Sequence, residues 1–304
     1  MIALLLAVIA WLAPMPLYVA SMSLFGLPHV IWEMTWLHRT AGPRLSKLWW
    51  GGLLMILGLQ GAARLGVVLS LLEPQRALIA DLLTLALALA LVLLAPAIGC
   101  LRRGVALLAA LGLSWVGLEA GIEMNLTLIA LLSALHNLTP IGLTRLAEGS
   151  WRWMALPFLL MLPLLVLPVP WMWGLQDWSP IEAGLLQRLS GLPGWLPALV
   201  LAQCLHYRAV LRLLPGQLPP PVLLKGAWLW AALAFGALAS LLFLSGFPEA
   251  RRLYGVFSGM HAWAEWPILL ALGGVADVKI PGPCAESSTG AIGGTGRCNL
   301  GASQ

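Results

Sequence analysis

"FGLPHVIWEMTWLHR", residues 25–39, places two ionisable side chains, His29 and Glu33, one helical turn apart inside a run that is otherwise apolar. Residues at i and i+4 share a helix face. In a soluble protein such a pair would be unremarked. Here the surroundings decide its meaning, because the 304-residue chain is 60% hydrophobic and only 10% charged, with a mean hydropathy of +0.90. Soluble domains do not carry that composition. The expected fold is therefore all-α, a polytopic transmembrane helix bundle, and the segment around His29 is one of its spans.

A bilayer core takes about 20 mostly apolar residues per helix. Windows of that size fall near 15–37, 48–72, 78–100, 104–122, 124–144, 152–174, 193–213, 222–246 and 253–274. This gives about nine spans, with eight to ten as the range, and residues 2–13 form a separate half-helix if Pro14 and Pro16 break the first one. The N-terminal run lacks the basic segment of a secretory signal and stays apolar past any cleavage point, so it reads as retained. Residues 1–274 form the membrane domain. Residues 275–304 turn abruptly to Gly, Ser and Pro and read as a disordered tail.

Lys and Arg set the orientation, since short cytoplasmic loops collect positive charge. With the N-terminus outside and the C-terminus cytoplasmic, twelve of the Lys and Arg residues fall on the inner side and only Arg76, Arg188, Arg251 and Arg252 on the outer. The net charge of +5 thus serves topology, and nucleic acid is not an expected partner. Trp49, Trp50, Trp151, Trp153, Trp171, Trp173 and Trp178 lie near span ends, as an aromatic belt requires. The expected location is an integral, multi-pass protein of the cell inner membrane, with the bilayer and a lipophilic small molecule as partners.

The pair in the first span has an echo in the last. His29-Val-Ile-Trp-Glu33 is answered by His261-Ala-Trp-Ala-Glu265, so each helix presents an imidazole and a carboxylate on one face. Two further histidines stand in "LSALHNLTP" (His136) and "LAQCLHYRAVLRLLP" (His206). On this topology all four lie in spans of the same direction, at heights that spread over roughly 10 Å at 1.5 Å per residue. Intramembrane ionisable groups cost about 2.5–3.5 kcal/mol each on insertion scales and normally face the bundle interior to serve an ion, proton or cofactor. Imidazole suits Zn, Cu and Fe, and carboxylate adds charge balance. The expected metal ligands are His29, Glu33, His136, His206, His261 and Glu265, with either glutamate alternatively orienting a ligating His. Asn137, Gln203 and Tyr207 flank the set; Tyr207 and Asn137 are the candidates for proton movement or contact with bound oxygen.

Other polar residues read more simply. His38 beside Arg39 is interfacial. Glu119 and Glu123 fit a wet turn. Asp81 near the start of the third span can reach water. Arg64, mid-span, needs a partner, and Glu33, Glu265, an anionic substrate or snorkelling would each provide one. Cys100, Cys204, Cys284 and Cys298 form no CxxC pair, and the chain carries no P-loop, dinucleotide, serine-hydrolase, zincin or desaturase-type histidine motif.

The Gly26-Leu27-Pro28-His29 segment, with the size and hydrophobicity of the chain, resembles the first histidine motif of the Brp/Blh carotene dioxygenase family. That resemblance implies an all-helical membrane protein that cleaves carotene to retinal at an iron held by histidines from several helices. Here Val30 replaces the family's following Gly, the acidic residue falls at Glu33, and His136, His206 and His261 stand singly where the family pairs them. The functional expectation is a membrane metalloenzyme, an iron-dependent oxygenase or oxidoreductase acting on a lipophilic substrate. The alternatives are a proton-coupled transporter using the same residues as a relay and a haem-binding electron carrier with two axial imidazoles.

Overall fold

The computed structural model describes residues 2–95, 98–146, 151–168, 194–213 and 245–272, with a few positions between 230 and 243. Among the described residues every regular element is helical. The eleven α-helices are α1 (Ile2–Leu12), α2 (Pro14–Ala41), α3 (Lys47–Val68), α4 (Pro74–Leu91), α5 (Cys100–Glu119), α6 (Ile122–His136), α7 (Thr139–Leu146), α8 (Trp151–Ala155), α9 (Met161–Val166), α10 (Trp195–Arg208) and α11 (Phe247–Leu272). The expected span at 222–246 lies mostly outside the described residues, and the tail at 275–304 wholly so.

Proline sets several of the boundaries. α1 ends where Ala13 leaves helical geometry (φ −143°, ψ 62°), and Pro14 opens α2, a position where its missing N–H costs nothing. Residues 2–12 are thus a helix of their own. The expected single span over 124–144 is two helices. Asn137 Nδ2 donates back to the carbonyls of Ser133 and Ala134 at 3.2 and 3.3 Å. Pro140 has no N–H to offer the His136 carbonyl, and the Thr139 hydroxyl takes that carbonyl at 2.7 Å instead. The break thus falls immediately after His136. The described part of the expected span over 152–174, up to residue 168, is likewise divided among α8, a 3₁₀ segment at Leu156–Leu160 and α9.

Four helical stretches, Pro14–Arg44, Lys47–Val68, Pro74–Leu94 and Cys100–Glu119, are long and apolar enough to cross a membrane. The surface matches. Leu48, Leu54, Leu101, Leu108 and Trp115 point outward, whereas His29, Glu33, Gln60, Asp81, His206, His261 and Glu265 are buried. Such a distribution is costly in water, where large apolar patches drive association, and natural in lipid, where polar groups must be satisfied internally.

Among the described residues the two larger of three apolar cores organise the bundle. One joins the second half of α2 (Trp36, Leu37) to α3, α4 and α11 through Leu53, Leu85, Trp263 and Ile268. The other joins α1 and the start of α2 (Met15) to α9 and α10 through Leu164, Leu196 and Leu201. α2 takes part in both, and His29 and Glu33 occupy the part of α2 between them.

Two expectations about isolated charges are corrected. Asp81 does not reach water: it is 4% exposed. Arg64 pairs with Asp81, Nε to Oδ1 at 2.8 Å, and neither with Glu33 nor with Glu265. Its Nη1 also donates to the Gly255 carbonyl at 2.6 Å, and Gln60 Nε2 donates to Asp81 Oδ1 at 3.1 Å. The reason lies on α11: a Cβ at Gly259 would fall 2.4 Å from the guanidinium, so only a bare backbone lets Arg64 lie against that helix. Glu119 and Glu123 are exposed at the α5–α6 turn, as a wet turn implies. His38 is exposed and meets Trp50 edge-on at 5.6 Å between ring centroids.

Candidate metal centre

The six expected ligands come together. α2 supplies His29 and Glu33, the end of α6 supplies His136, α10 supplies His206, and α11 supplies His261 and Glu265. All are buried; Glu33, His206 and Glu265 are at 0% exposure, and His136 is the most open at 9%. They form two overlapping tetrads, His29/Glu33/His206/His261 and His136/His206/His261/Glu265, whose donor atoms lie within 4.8 Å of one another in each.

Each histidine is placed by local backbone chemistry. Pro28 leaves the Leu24 carbonyl without its helical N–H, and His29 Nδ1 contacts the Phe25 carbonyl at 3.1 Å. With Nδ1 protonated, Nε2 carries the lone pair, the orientation that a carbonyl behind a ligating imidazole normally fixes. His136 occupies the last helical position before the Asn137–Pro140 break. His206 comes three residues before Ala209, where α10 loosens into a π-helical segment, Ala209–Leu213, a distortion common at functional sites. Trp263, between His261 and Glu265, donates its indole N–H to the Asp81 carbonyl at 2.9 Å, which ties the rotation of α11 to α4.

The nitrogen–oxygen approaches are short. His136 Nδ1 lies 3.0 Å from Glu265 Oε2, and His206 Nε2 lies 3.3 Å from Glu33 Oε2. His261 Nε2 lies 3.3 Å from Glu33 Oε2 and 3.1 Å from Glu265 Oε1. None is aligned as a hydrogen bond: His136 Nδ1, His206 Nε2, His261 Nε2, both Glu33 oxygens and Glu265 Oε1 have no hydrogen-bond partner. Two donors each about 2.1 Å from one cation, at 90–109° to each other, stand about 3.0–3.4 Å apart. The observed spacing therefore suits atoms arranged around a cation. The Arg64 charge is committed to Asp81, so the positive charge facing the two buried carboxylates has to come from the imidazoles or from a bound cation.

The ring arrangement limits the alternatives. His29 lies 5.2 and 5.1 Å from His206 and His261 between centroids, and His136 lies 4.8 and 5.0 Å from the same two. His206 and His261 are 6.2 Å apart. Were any two of them the axial ligands of a haem, the other two would occupy the space of its macrocycle.

Of the flanking residues, Tyr207 packs its ring 4.3 Å from that of His29. Its hydroxyl accepts from Gln203 Nε2 at 3.0 Å and lies 3.5 Å from the Tyr254 hydroxyl. Gln203 also reaches Ser21 Oγ at 3.3 Å. Asn137 lends its amide N–H groups to the end of α6, as described above. Gly26 has its reason here too: a Cβ would fall 2.9 Å from Tyr254 Cε2, so the glycine admits that ring against α2. One participant escapes the sequence reading. Thr139 sets its hydroxyl between the His136 carbonyl and Glu265 Oε2, fixing the carboxylate from behind; its position three residues after His136, at the helix break, is the signal that could have found it. Comparison with protein-family models, curated proteins and solved structures finds no match to this chain.

Proposed function

We propose that this chain is an integral membrane metalloenzyme, an iron-dependent oxidoreductase or oxygenase that takes a lipophilic substrate from the bilayer. The observation that carries the reading is the set of unaligned nitrogen–oxygen contacts of 3.0–3.3 Å among four imidazoles and two carboxylates. A proton relay would be built from aligned donors and acceptors, which favours a metal site over a proton-coupled carrier. A mixed imidazole and carboxylate set is typical of non-haem iron. The Gly26–His29 resemblance adds an apolar polyene such as carotene as a substrate class.

His29, His136, His206 and His261 hold the metal, Glu33 and Glu265 balance its charge, and Phe25 and Thr139 orient donors from behind. Iron, when bound, supplies oxygen binding and electron transfer. The centre lies between two apolar cores, of which Trp36, Leu37 and Trp263 belong to one and Leu201 to the other, surroundings that suit a hydrocarbon substrate. Tyr207, against His29, is the nearest phenol able to hold or pass a proton.

Elemental analysis and absorption spectroscopy of detergent-purified protein test this. The expected result is stoichiometric iron or another transition metal without a Soret band, and a reduced metal content in each of His29→Ala, His136→Ala, His206→Ala and His261→Ala. Metal-free protein that cannot be loaded, or a Soret band dependent on two histidines only, refutes it. Oxygen consumption on adding a reductant and a solubilised polyene tests the catalytic half.

A further inference from the structure

We infer that the centre holds two transition-metal ions, one for each His-x-x-x-Glu pair; the inference rests on the metal reading above and sharpens it. Donors bound to one ion at about 2.1–2.2 Å can be at most about 4.4 Å apart. The six donors fall into two tetrads under a similar limit, and neither tetrad contains both His29 and His136.

The tetrads share His206 and His261, and a neutral imidazole serves one ion. The contacts divide the shared pair. His206 Nε2 approaches Glu33. His261 Nε2 lies nearer to Glu265, on its own helix, at 3.1 Å than to Glu33 at 3.3 Å. His136 Nδ1 also approaches Glu265. One ion then has His29, His206 and Glu33, and the other has His136, His261 and Glu265. Each receives two imidazoles and one carboxylate, the donor set of open non-haem iron sites.

The halves correspond element by element. α2 gives an imidazole and a carboxylate to the first and α11 gives the same pair to the second, while α10 and α6 each add one histidine. The sequence echo becomes a pair of half-sites. They meet through Glu33, whose Oε2 lies 3.3 Å from a nitrogen of each half and whose Oε1 has no hydrogen-bond partner, the position of a bridging carboxylate. Ions bridged in this way are about 3.5–4 Å apart. With Glu33 shared, the first ion has three protein donors and the second four, and an octahedral ion keeps positions open on each for solvent, oxygen or substrate.

The test is an anaerobic titration of metal-free, full-length protein in detergent with Co(II), followed by its visible absorption and electron paramagnetic resonance. The expected break is at two equivalents, with the second equivalent magnetically coupled to the first. In His29→Ala and in His136→Ala the break halves to one equivalent. A break at one equivalent in the unaltered protein overturns the two-ion inference and leaves the metalloenzyme reading standing. Two equivalents without coupling also overturn it, since the ions would then be remote. No binding at all overturns both. The measurement on the unaltered protein decides the question even where a variant fails to fold.

Discussion

Glu33→Gln keeps the shape of the side chain and removes its charge, at a position 0% exposed and 3.3 Å from both His206 Nε2 and His261 Nε2. If that carboxylate exists to bind a cation, its loss should be felt only when the cation is present. Orienting partners of metal ligands are worth about 10–100-fold in affinity, and a ligand itself belongs at or above the upper figure. With free metal at 100 times the dissociation constant, binding stabilises the fold by about 2.7 kcal/mol. After a 100-fold loss at the same metal concentration, about 0.4 kcal/mol remains. The variant should therefore lose about 2.3 kcal/mol in the loaded protein, a fall in Tm of about 5–9 °C at 2–4 °C per kcal/mol for a chain of this size. Without metal the two proteins should unfold within about 1 kcal/mol of each other, because the amide keeps the shape of the side chain and removes the cost of burying its charge. Thermal unfolding followed by tryptophan fluorescence, with and without Fe(II) under nitrogen, reads both limbs. An equal drop in both would refute the reasoning, since it would make Glu33 a packing residue.

Thr139→Val removes the hydroxyl between the His136 carbonyl and Glu265 and should weaken metal binding about 10–100-fold, measured by competition with a chelator of known affinity. Arg64→Met strands Asp81 in the interior and should cost about 3–5 kcal/mol in thermal unfolding, while whatever protein folds retains full metal stoichiometry; loss of metal would mean that Arg64 serves the centre. Gly26→Ala forces the Tyr254 ring away from α2, since the new methyl would stand 2.9 Å from Cε2. It should destabilise by about 1–3 kcal/mol, and an unchanged Tm would show that the ring moves freely.

Periodicity made much of this molecule legible. An apolar composition and runs of about 20 residues point to a helical bundle, and the i, i+4 spacing in "HVIWE" and "HAWAE" aligns an imidazole with a carboxylate on each of two helices. The helix break after His136 was less accessible, because it depends on three residues acting together: Asn137 folding back on its own helix, Pro140 without an N–H, and Thr139 taking the carbonyl. Arg64 was misread for a related reason. Its partner Asp81 is on the next helix, and the bare backbone of Gly259, nearly 200 residues on, makes the room. Spacing along one helix carries no information about such contacts between helices. Which histidine faces which carboxylate is of the same kind: His206 and His136, single residues on separate helices, acquire their roles only through packing. The π-helical segment after His206 left no mark that composition would reveal.

X-ray absorption at the metal edge of the purified, metal-loaded protein tests the central claim most directly. The account predicts a first shell of nitrogen and oxygen at about 2.0–2.2 Å, with the outer-shell scattering of about two imidazoles per metal, and no sulfur. A shell of oxygen alone, as for an ion held loosely by solvent and surface carboxylates, would contradict it.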